Sequence, residues 1–279
     1  MSARTSAASS APSILVYAQR DRARMMVRAF FPRRKHHVIL TRSSTAFEQS
    51  FRQGLIDAAV IDVGTGSTGG SAGGAVGEET WRVARLASEF PSVPFFGLLS
   101  LRASDASALT QCASCEFSDV LVEGVDDSVA REIVNRESFS ARFARALHDP
   151  PAALSLSSPL QLATWRSVVA SGGRGVRTDS LAKLLRVTRE HLSRTFAAEG
   201  GPNLKRVIDL VRLLAAAELA KNPGYDVRDV ANVLGFASPS HLSTTSQRIV
   251  GTKSASLSRL RSVDLIERFA RGHGRSRHQ

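Results

Sequence analysis

The stretch DVRDVANVLGFASPSHLSTTSQRIVG, residues 226–251, decides the fold of the second half of the chain. Asp226 is placed to cap a first helix carrying Val230, Ala231 and Leu234. Gly235 then turns the chain, and Ser238-Pro239 opens a second helix. Serine is a preferred N-cap, and proline fits the first helical turn because its missing N–H needs no partner there. Two short helices joined by a glycine-containing turn make a helix-turn-helix. Such a motif either reads DNA or forms a packed corner of another helical domain.

The surrounding sequence is helical from about 159 to 262. PLQLATWRSVVAS is apolar at helical spacing, TDSLAKLLR follows with Thr178 as expected N-cap, and TREHLSRTFAAEGG ends at a glycine pair suited to a C-cap. Asn203 is expected to cap the long LKRVIDLVRLLAAAELAK, about 18 residues or roughly 27 Å of helix. After the opening stretch, SASLSRLRSVDLIERFAR reads as one more helix. A repeat runs through this region: LAKLLRVTREHLSRTF (181–196) aligns with VANVLGFASPSHLSTTS (230–246) with one extra residue in the second turn. Ala182 matches Ala231, Val187 matches Phe236, and HLS recurs. Two helix-turn-helix units about 50 residues apart favour DNA binding over an incidental corner.

Charge points the same way without deciding the matter. Of the formal net charge of +12, residues 1–150 hold 17 Lys/Arg against 16 Asp/Glu, and residues 151–279 hold 20 against 9. A basic half around a helix-turn-helix suits a polyanionic partner, and it also suits solubility alone. At 279 residues and 43% hydrophobic content the chain is long enough for two globular domains. No apolar run approaches a membrane span. The first thirteen residues, MSARTSAASSAPS, lack the apolar core of a signal peptide and read as a disordered tail, so a cytoplasmic protein is expected. Cys112 and Cys115 in QCASC are half a zinc site at best and read as structural or incidental thiols.

Residues about 159–262 resemble the DNA-binding domain of AraC/XylS-type transcription regulators, through LAKLLRVTREHLSRTFAAEGG, RLLAAAELA and VANVLGFASPSHLS…GTKSASLSRL. The resemblance implies two helix-turn-helix units bridged by a long helix, each placing a recognition helix in a major groove of double-stranded DNA. This chain departs from the family at four positions: Leu242 and Ser246 stand where it usually has aromatic residues, Arg186 where it has Gly, and Lys253 where it has Pro. Ser246 removes an apolar anchor, and STTS (243–246) is poor helix-forming sequence.

Helical geometry selects residues independently of the resemblance. In the first recognition helix Leu192 and Phe196 face the core, leaving Glu190, Ser193, Arg194 and Ala197 outward, with Arg189 preceding them. In the second, Leu242 and Ile249 point inward, leaving Ser240, Thr244 and Gln247 outward with His241 and Arg248 flanking. The expected DNA-binding set is Arg189, Glu190, Ser193, Arg194, Ser240, His241, Thr244 and Gln247. Arg194 is the foremost candidate, because a guanidinium pairs bidentately with guanine O6 and N7. The alternatives are a solvated surface arginine for Arg194 and helix-start packing for His241.

In the first half, ILVYAQRD, HHVILTR, DAAVID, VPFFGLLS and SDVLVEG are short apolar segments. They alternate with helix-like stretches, among them RARMMVRAFF, STAFEQSFRQG and DDSVAREIVNRESFSARFARALH. Strands alternating with helices imply a parallel sheet covered on both faces. Five such units in about 135 residues resemble a response-regulator receiver domain, and Asp62 occupies that family's phosphoacceptor position. Where the family has an acidic pair after the first strand, this chain has Ala18-Gln19; where it has a lysine after the fifth, this chain has Glu123. One aspartate facing a glutamate is poorly suited to Mg²⁺, so Asp62 is expected to be silent. GTGSTG (64–69) satisfies a dinucleotide-binding pattern, yet continues as GSAGGAVG before any helix signal and reads as a flexible insertion.

The expected architecture is therefore a flavodoxin-like α/β receiver-like domain followed by an all-α domain with two helix-turn-helix units. The expected boundaries are a tail over 1–12, the α/β domain over 13–148 with a Gly-rich insertion at 64–77, and a linker over 149–158. The DNA-binding domain spans 159–262 and a basic extension 263–279. The expected function is a non-enzymatic, sequence-specific transcription regulator, with the pseudo-receiver used for dimerisation or partner binding. Double-stranded DNA and RNA polymerase are its partners, a homodimer is allowed, and no cofactor or metal is required. The alternatives are an interaction protein that has lost sequence-specific DNA binding, and a nucleotide-dependent enzyme using the glycine loop.

Overall fold

A computed structural model describes residues 11–64, 77–124, 127–197 and 201–275. The tail read over 1–12 (up to residue 10), residues 65–76 of the glycine-rich insertion, the glycine cap at Gly200 and the last four residues of the basic extension lie outside the described residues. So do the side chains of Ala197 and of residues 273–275. The chain divides into two compact units, residues 11–141 with 222–224, and residues 142–221 with 225 onward.

The first unit carries five parallel strands, β1 (Ser13–Tyr17), β2 (His37–Thr41), β3 (Ala58–Asp62), β4 (Phe95–Leu99) and β5 (Asp119–Val122), in the order β2-β1-β3-β4-β5. Ile14 stands opposite Val38 on one side and Ala58 on the other, and Leu98 opposite Leu121. Each strand forms where an apolar run was read. The inner strands β3 and β4 are buried along their whole length, whereas the edge strands β2 and β5 are partly exposed. A parallel strand covered on both faces needs such a continuous apolar run. Around the sheet lie α1 (Asp21–Phe30), α2 (Ser44–Gln53), α3 (Glu78–Arg85), α4 (Ala106–Ser114) and α5 (Asp127–Glu137), followed by α6 (Phe139–Ala146).

Alternation along the strands sorts the two faces. Ile14, Val16, Val60, Phe96 and Leu98 pack with Phe30, Phe31 and Val134 beneath α1 and α5. On the other face Phe51 of α2 stacks on Phe90, with centroids 4.1 Å apart and planes 6° from parallel, and Tyr17 meets Phe47 edge-on. The order 2-1-3-4-5 reverses between β1 and β3, and in doubly wound sheets ligands bind beyond the strand ends at that reversal. Asp62, the last residue of β3, stands there.

The stretch 126–148, read as a single helix, breaks at Ser138 into α5 and α6. Asp57 is fully buried. Its carboxylate accepts from the backbone N–H of Ser13 (2.7 Å), that of Ser140 (3.1 Å) and the Ser140 hydroxyl. The Phe139 N–H donates to the Asp57 carbonyl at 2.8 Å. A buried carboxylate needs donors, and the chain opens at Ser138 to supply them.

The second unit is helical: α7 (Pro159–Val169), α8 (Thr178–Leu184), α9 (Arg189–Ala197), α10 (Leu204–Leu219), α11 (Val227–Val233), α12 (Pro239–Val250) and α13 (Ser262–Arg275). Asn203 caps α10, Asp226 caps α11 in a reciprocal box with Asp229, and Ser238 caps α12 ahead of Pro239. Two boundaries differ from the reading. Thr178 is the first residue of α8, and Arg177 takes the cap position without a side-chain bond. SASLSRLRSVDLIERFAR is two elements, a 3-10 turn over Ser254–Arg259 and α13, because Asp264 accepts from the Arg261 N–H at 2.9 Å and starts a new helix. Leu265, Ile266 and Phe269 of α13 are buried, and Trp165 of α7 donates to the Leu147 carbonyl at 2.7 Å. The packed unit thus extends past residue 262 and reaches back to Leu147.

The repeat in the sequence is also a repeat in hydrogen bonds. After α8 the Val187 N–H reaches the Ala182 carbonyl at 3.0 Å, and after α11 the Phe236 N–H reaches the Ala231 carbonyl at 2.8 Å. Each six-residue closure needs a left-handed residue just before its donor. Gly235 supplies it with φ +68°, and Arg186 must adopt φ +56°. An L side chain pays roughly 1–2 kcal/mol in that region, which is the physical reason the resembled family prefers glycine there. Because Arg186 is exposed and little packing is lost, Arg186→Gly should stabilise the unit by roughly 0.5–1 kcal/mol after the entropy of the unfolded glycine is counted. Gly235→Arg should destabilise it by about 1–2 kcal/mol. Thermal midpoints of the two variants check this: a lower midpoint for Arg186→Gly would contradict the account.

Candidate nucleic-acid interface and acidic pocket

In the helical unit, α9 buries Leu192 and Phe196 completely. Arg189, Glu190, Ser193 and Arg194 are all exposed on its other side. Arg189 pairs with Asp179 at 3.4 Å, both well exposed, and such surface pairs hold little energy. Arg194 has no ion pair among the described residues, so its guanidinium is available to a ligand. In α12, Leu242 and Ile249 are buried, while Ser240, His241, Thr244 and Gln247 are exposed.

The second set is more constrained than the first. The Thr244 hydroxyl donates to the Ser240 carbonyl at 2.9 Å, which engages its proton within the helix. His241 Nδ1 accepts from the Ala237 N–H at 3.3 Å, and its ring lies edge-on to Phe236 at 5.7 Å. Helix-start packing is therefore one role of His241, with its remaining ring edge open to solvent. Ser246 is fully buried and its hydroxyl has no partner among the described residues. A buried unpaired hydroxyl costs free energy, consistent with a site that an apolar side chain would fill better. α12 nonetheless runs unbroken through STTS.

Two arginines tie the second helix-turn-helix to α10. Arg248, read as a flanking residue, donates to the buried Asp209 of α10 at 2.8 Å. Arg212, also on α10, stacks its guanidinium over the Phe236 ring at 3.8 Å and donates to the Leu234 carbonyl at 3.1 Å. Burial lowers the Arg212 pKa, and Asp209 offsets part of that fall.

In the first unit, the pocket beyond β1 and β3 is filled by a residue one position past the stretch the reading considered. Arg20 points its Nε at both Asp62 oxygens, 2.9 and 3.0 Å away, and its Nη2 contacts both Asp62 and Glu123. The side chains of Asp62 and Glu123 are 2% and 3% exposed. Arg22 adds a longer contact to Glu123 at 3.5 Å. Gly64 makes room for this: a Cβ there would stand 2.3 Å from Arg20 Nη2. Burial raises the Asp62 carboxyl above its ordinary value against the pull of Arg20. Burial also opposes the Arg20 charge, but hydrogen bonds and charge from Asp62 and Glu123 hold its pKa above the usual arginine value.

This donor set does not fit the divalent cation that the receiver resemblance implies. Mg²⁺ needs carboxylate oxygens facing an open octahedral space. Here both carboxylates face a guanidinium. Gln19, in place of an acid, turns away to donate to Tyr17 Oη and the Arg42 carbonyl, each at 2.8 Å. Elsewhere, burial pushes the Cys112 thiol up to about 12 and raises Cys115, so neither is a ready thiolate. Among the described residues no cluster of three or more His, Cys, Asp or Glu could hold a metal ion. Nor is any helix among them long and apolar enough to cross a membrane.

The architecture is a receiver-like parallel α/β sheet followed by a helical region with duplicated helix-turn-helix turns. A family model of the helix-turn-helix domain, of the AraC type, matches residues 181–259 and so spans both turns. No curated protein matches the chain. Among solved structures the chain is similar to a response regulator from Thermotoga maritima, at 17% identity and a TM-score of 0.36, covering 46% of this chain and 97% of that one. It is also similar to full-length FixJ from B. japonicum, at 14% identity and a TM-score of 0.36, covering 85% and 96%. The receiver-like fold itself is defined by the strand order and register.

Removing Arg20 should expose the cost of this pocket. Arg20→Ala leaves two buried carboxylates uncompensated and should destabilise the first unit by about 3–5 kcal/mol. Adding Asp62→Asn and Glu123→Gln to Arg20→Ala should recover part of that loss. Urea denaturation of the two variants checks the order; equal stability of Arg20→Ala and wild type would contradict the triad's role.

Proposed function

We propose that the protein is a sequence-specific DNA-binding regulator of transcription. In this reading α9 and α12 each enter a major groove, and the receiver-like unit serves dimerisation or partner binding without phosphoryl chemistry. The observation that carries the reading is the duplication. Two turns close with the same hydrogen bonds around the same left-handed residue, and each presents a second helix with an exposed polar face. The excess of 20 Lys/Arg over 9 Asp/Glu in residues 151–279 supplies attraction for a phosphate backbone. A cytoplasmic location, contact with RNA polymerase and a non-enzymatic role follow from this reading.

Arg189, Glu190, Ser193 and Arg194 would read one half-site, and Ser240, His241, Thr244 and Gln247 the other. Arg194 would specify its base, having a long donor fork and no ion pair among the described residues. The second half-site would be read more weakly, since Thr244 and His241 already spend donors or acceptors on their own helix. In a binding-site selection at fixed salt, Arg194→Ala should cost about 1–3 kcal/mol at one base pair and relax preference only there. A uniform loss over all sequences would make Arg194 a phosphate contact. No change in binding for Arg194→Ala would favour an interaction protein.

The silent pocket gives a separate expectation. Acetyl phosphate with Mg²⁺ should leave the intact mass of the protein unchanged, because Arg20 occupies both carboxylates and Glu123 stands where a lysine would bind phosphoryl oxygens. A phosphoryl adduct abolished by Asp62→Asn would overturn this part of the reading.

A further inference from the structure

The charge of the receiver-like unit is sharply segregated. Residues 20–35 hold seven Lys/Arg and one Asp, while the rest of residues 11–141 hold seven Lys/Arg and fourteen Asp/Glu. Part of the excess is used internally, since Arg20 and Arg22 face Glu123 and Arg42 faces Asp21. The remainder gathers at the other end of α1. Arg28 lies in its last turn and Arg33, Arg34 and Lys35 form the turn into β2, all exposed and none with an ion pair among the described residues. Arg131 joins them from α5, donating to the Phe30 carbonyl at 2.6 Å.

The fold does not require this cluster. One cation at a helix C-terminus is favourable, because it meets the negative end of the dipole and the free carbonyls, and Arg131 already fills that role. The four further cations add mutual repulsion. Yet the turn is rigidly mounted: Lys35 and His36 both donate to the Pro32 carbonyl, at 2.9 and 3.1 Å, and His37 donates to Pro12 at 3.0 Å. His36 is buried, paired with Asn135 at 3.0 Å and set edge-on against Phe31 at 5.3 Å. Since α1 runs back from the strand ends that hold Asp62, the cluster stands at the opposite end of the sheet from that pocket.

We propose that this basic corner grips the phosphodiester backbone of double-stranded DNA, giving the receiver-like unit its own sequence-independent contact. Complementary charge selects a polyanion, and the absence of aromatic side chains exposed among these cations disfavours base stacking or base readout. The proposal rests on the DNA-binding reading of the helical unit, and the two are separable by experiment. The triple variant Arg33→Gln, Arg34→Gln, Lys35→Gln removes only exposed charges, and an unchanged thermal midpoint would verify its fold.

The measurement is the salt dependence of binding by the full chain, on a selected duplex and on a scrambled one. Each phosphate contact contributes about 0.9 to the slope of log affinity against log salt, so the triple variant should lose about 2–3 in slope on both duplexes. Its base preference should stay as in wild type, whereas Arg194→Ala should alter preference. An unchanged slope in the triple variant, with wild-type DNA binding intact, overturns the basic-corner proposal alone. If wild type binds neither duplex, the DNA reading falls and this proposal with it. If the triple variant keeps its DNA slope but loses binding to phosphatidylserine vesicles, the corner serves an anionic membrane and the proposal is wrong.

Discussion

The helical unit depends on α10 being buried on nearly every side. Val207, Leu210, Val211, Leu213, Leu214, Ala215, Ala216, Ala217 and Leu219 are all fully buried, a pattern a helix tolerates only when other helices surround it. It packs against α7 and α9 of one half and α11, α12 and α13 of the other. Two of its charged residues hold α12 and the turn before it: Asp209 holds Arg248, and Arg212 holds the turn at Leu234 and Phe236. The orientation of α12 is thereby fixed by polar contacts to α10 as well as by Leu242 and Ile249. In the proposed function this matters, because base readout tolerates little error in the placement of a recognition helix.

The receiver-like unit shows a different economy. Its sheet is built from ordinary apolar runs, but the pocket where such sheets bind ligands is closed by a salt-bridged arginine. Two carboxylates from the ends of β3 and β5 would repel each other in a buried site, and one guanidinium from the end of β1 satisfies both. Strand ends that a ligand would otherwise bridge are joined by the chain itself. In the proposed function a unit of this kind offers a surface rather than a chemical event at Asp62.

What was legible in the sequence followed from local pattern. Continuous apolar runs gave β1, β3 and β4, the alanine and apolar positions of the repeat gave both helix-turn-helix turns, and Asn203, Asp226 and Ser238 gave their caps. The exposed faces of α9 and α12 followed from helical spacing alone. What escaped depended on partners distant in the chain. The break at Ser138 is caused by Asp57, 81 to 83 residues earlier, and Arg20 meets Asp62 and Glu123 across 42 and 103 residues. Arg248 looked like a residue flanking the recognition face until Asp209, 39 residues away, claimed it. Arg186 was visible as a departure from glycine, and its meaning became clear only with its left-handed φ.

In the proposed function one chain reads two sites with two helices held by α10. Its 16 residues span about 24 Å at 1.5 Å per residue, compatible with recognition helices about 34 Å apart, centre to centre. Methylation interference on a selected duplex tests this most directly. Two short major-groove segments per chain are expected, on one face of the duplex, with centres about 10–10.5 base pairs apart and different sequences. A single protected segment per chain, or two at a spacing that places them on opposite faces, would contradict it.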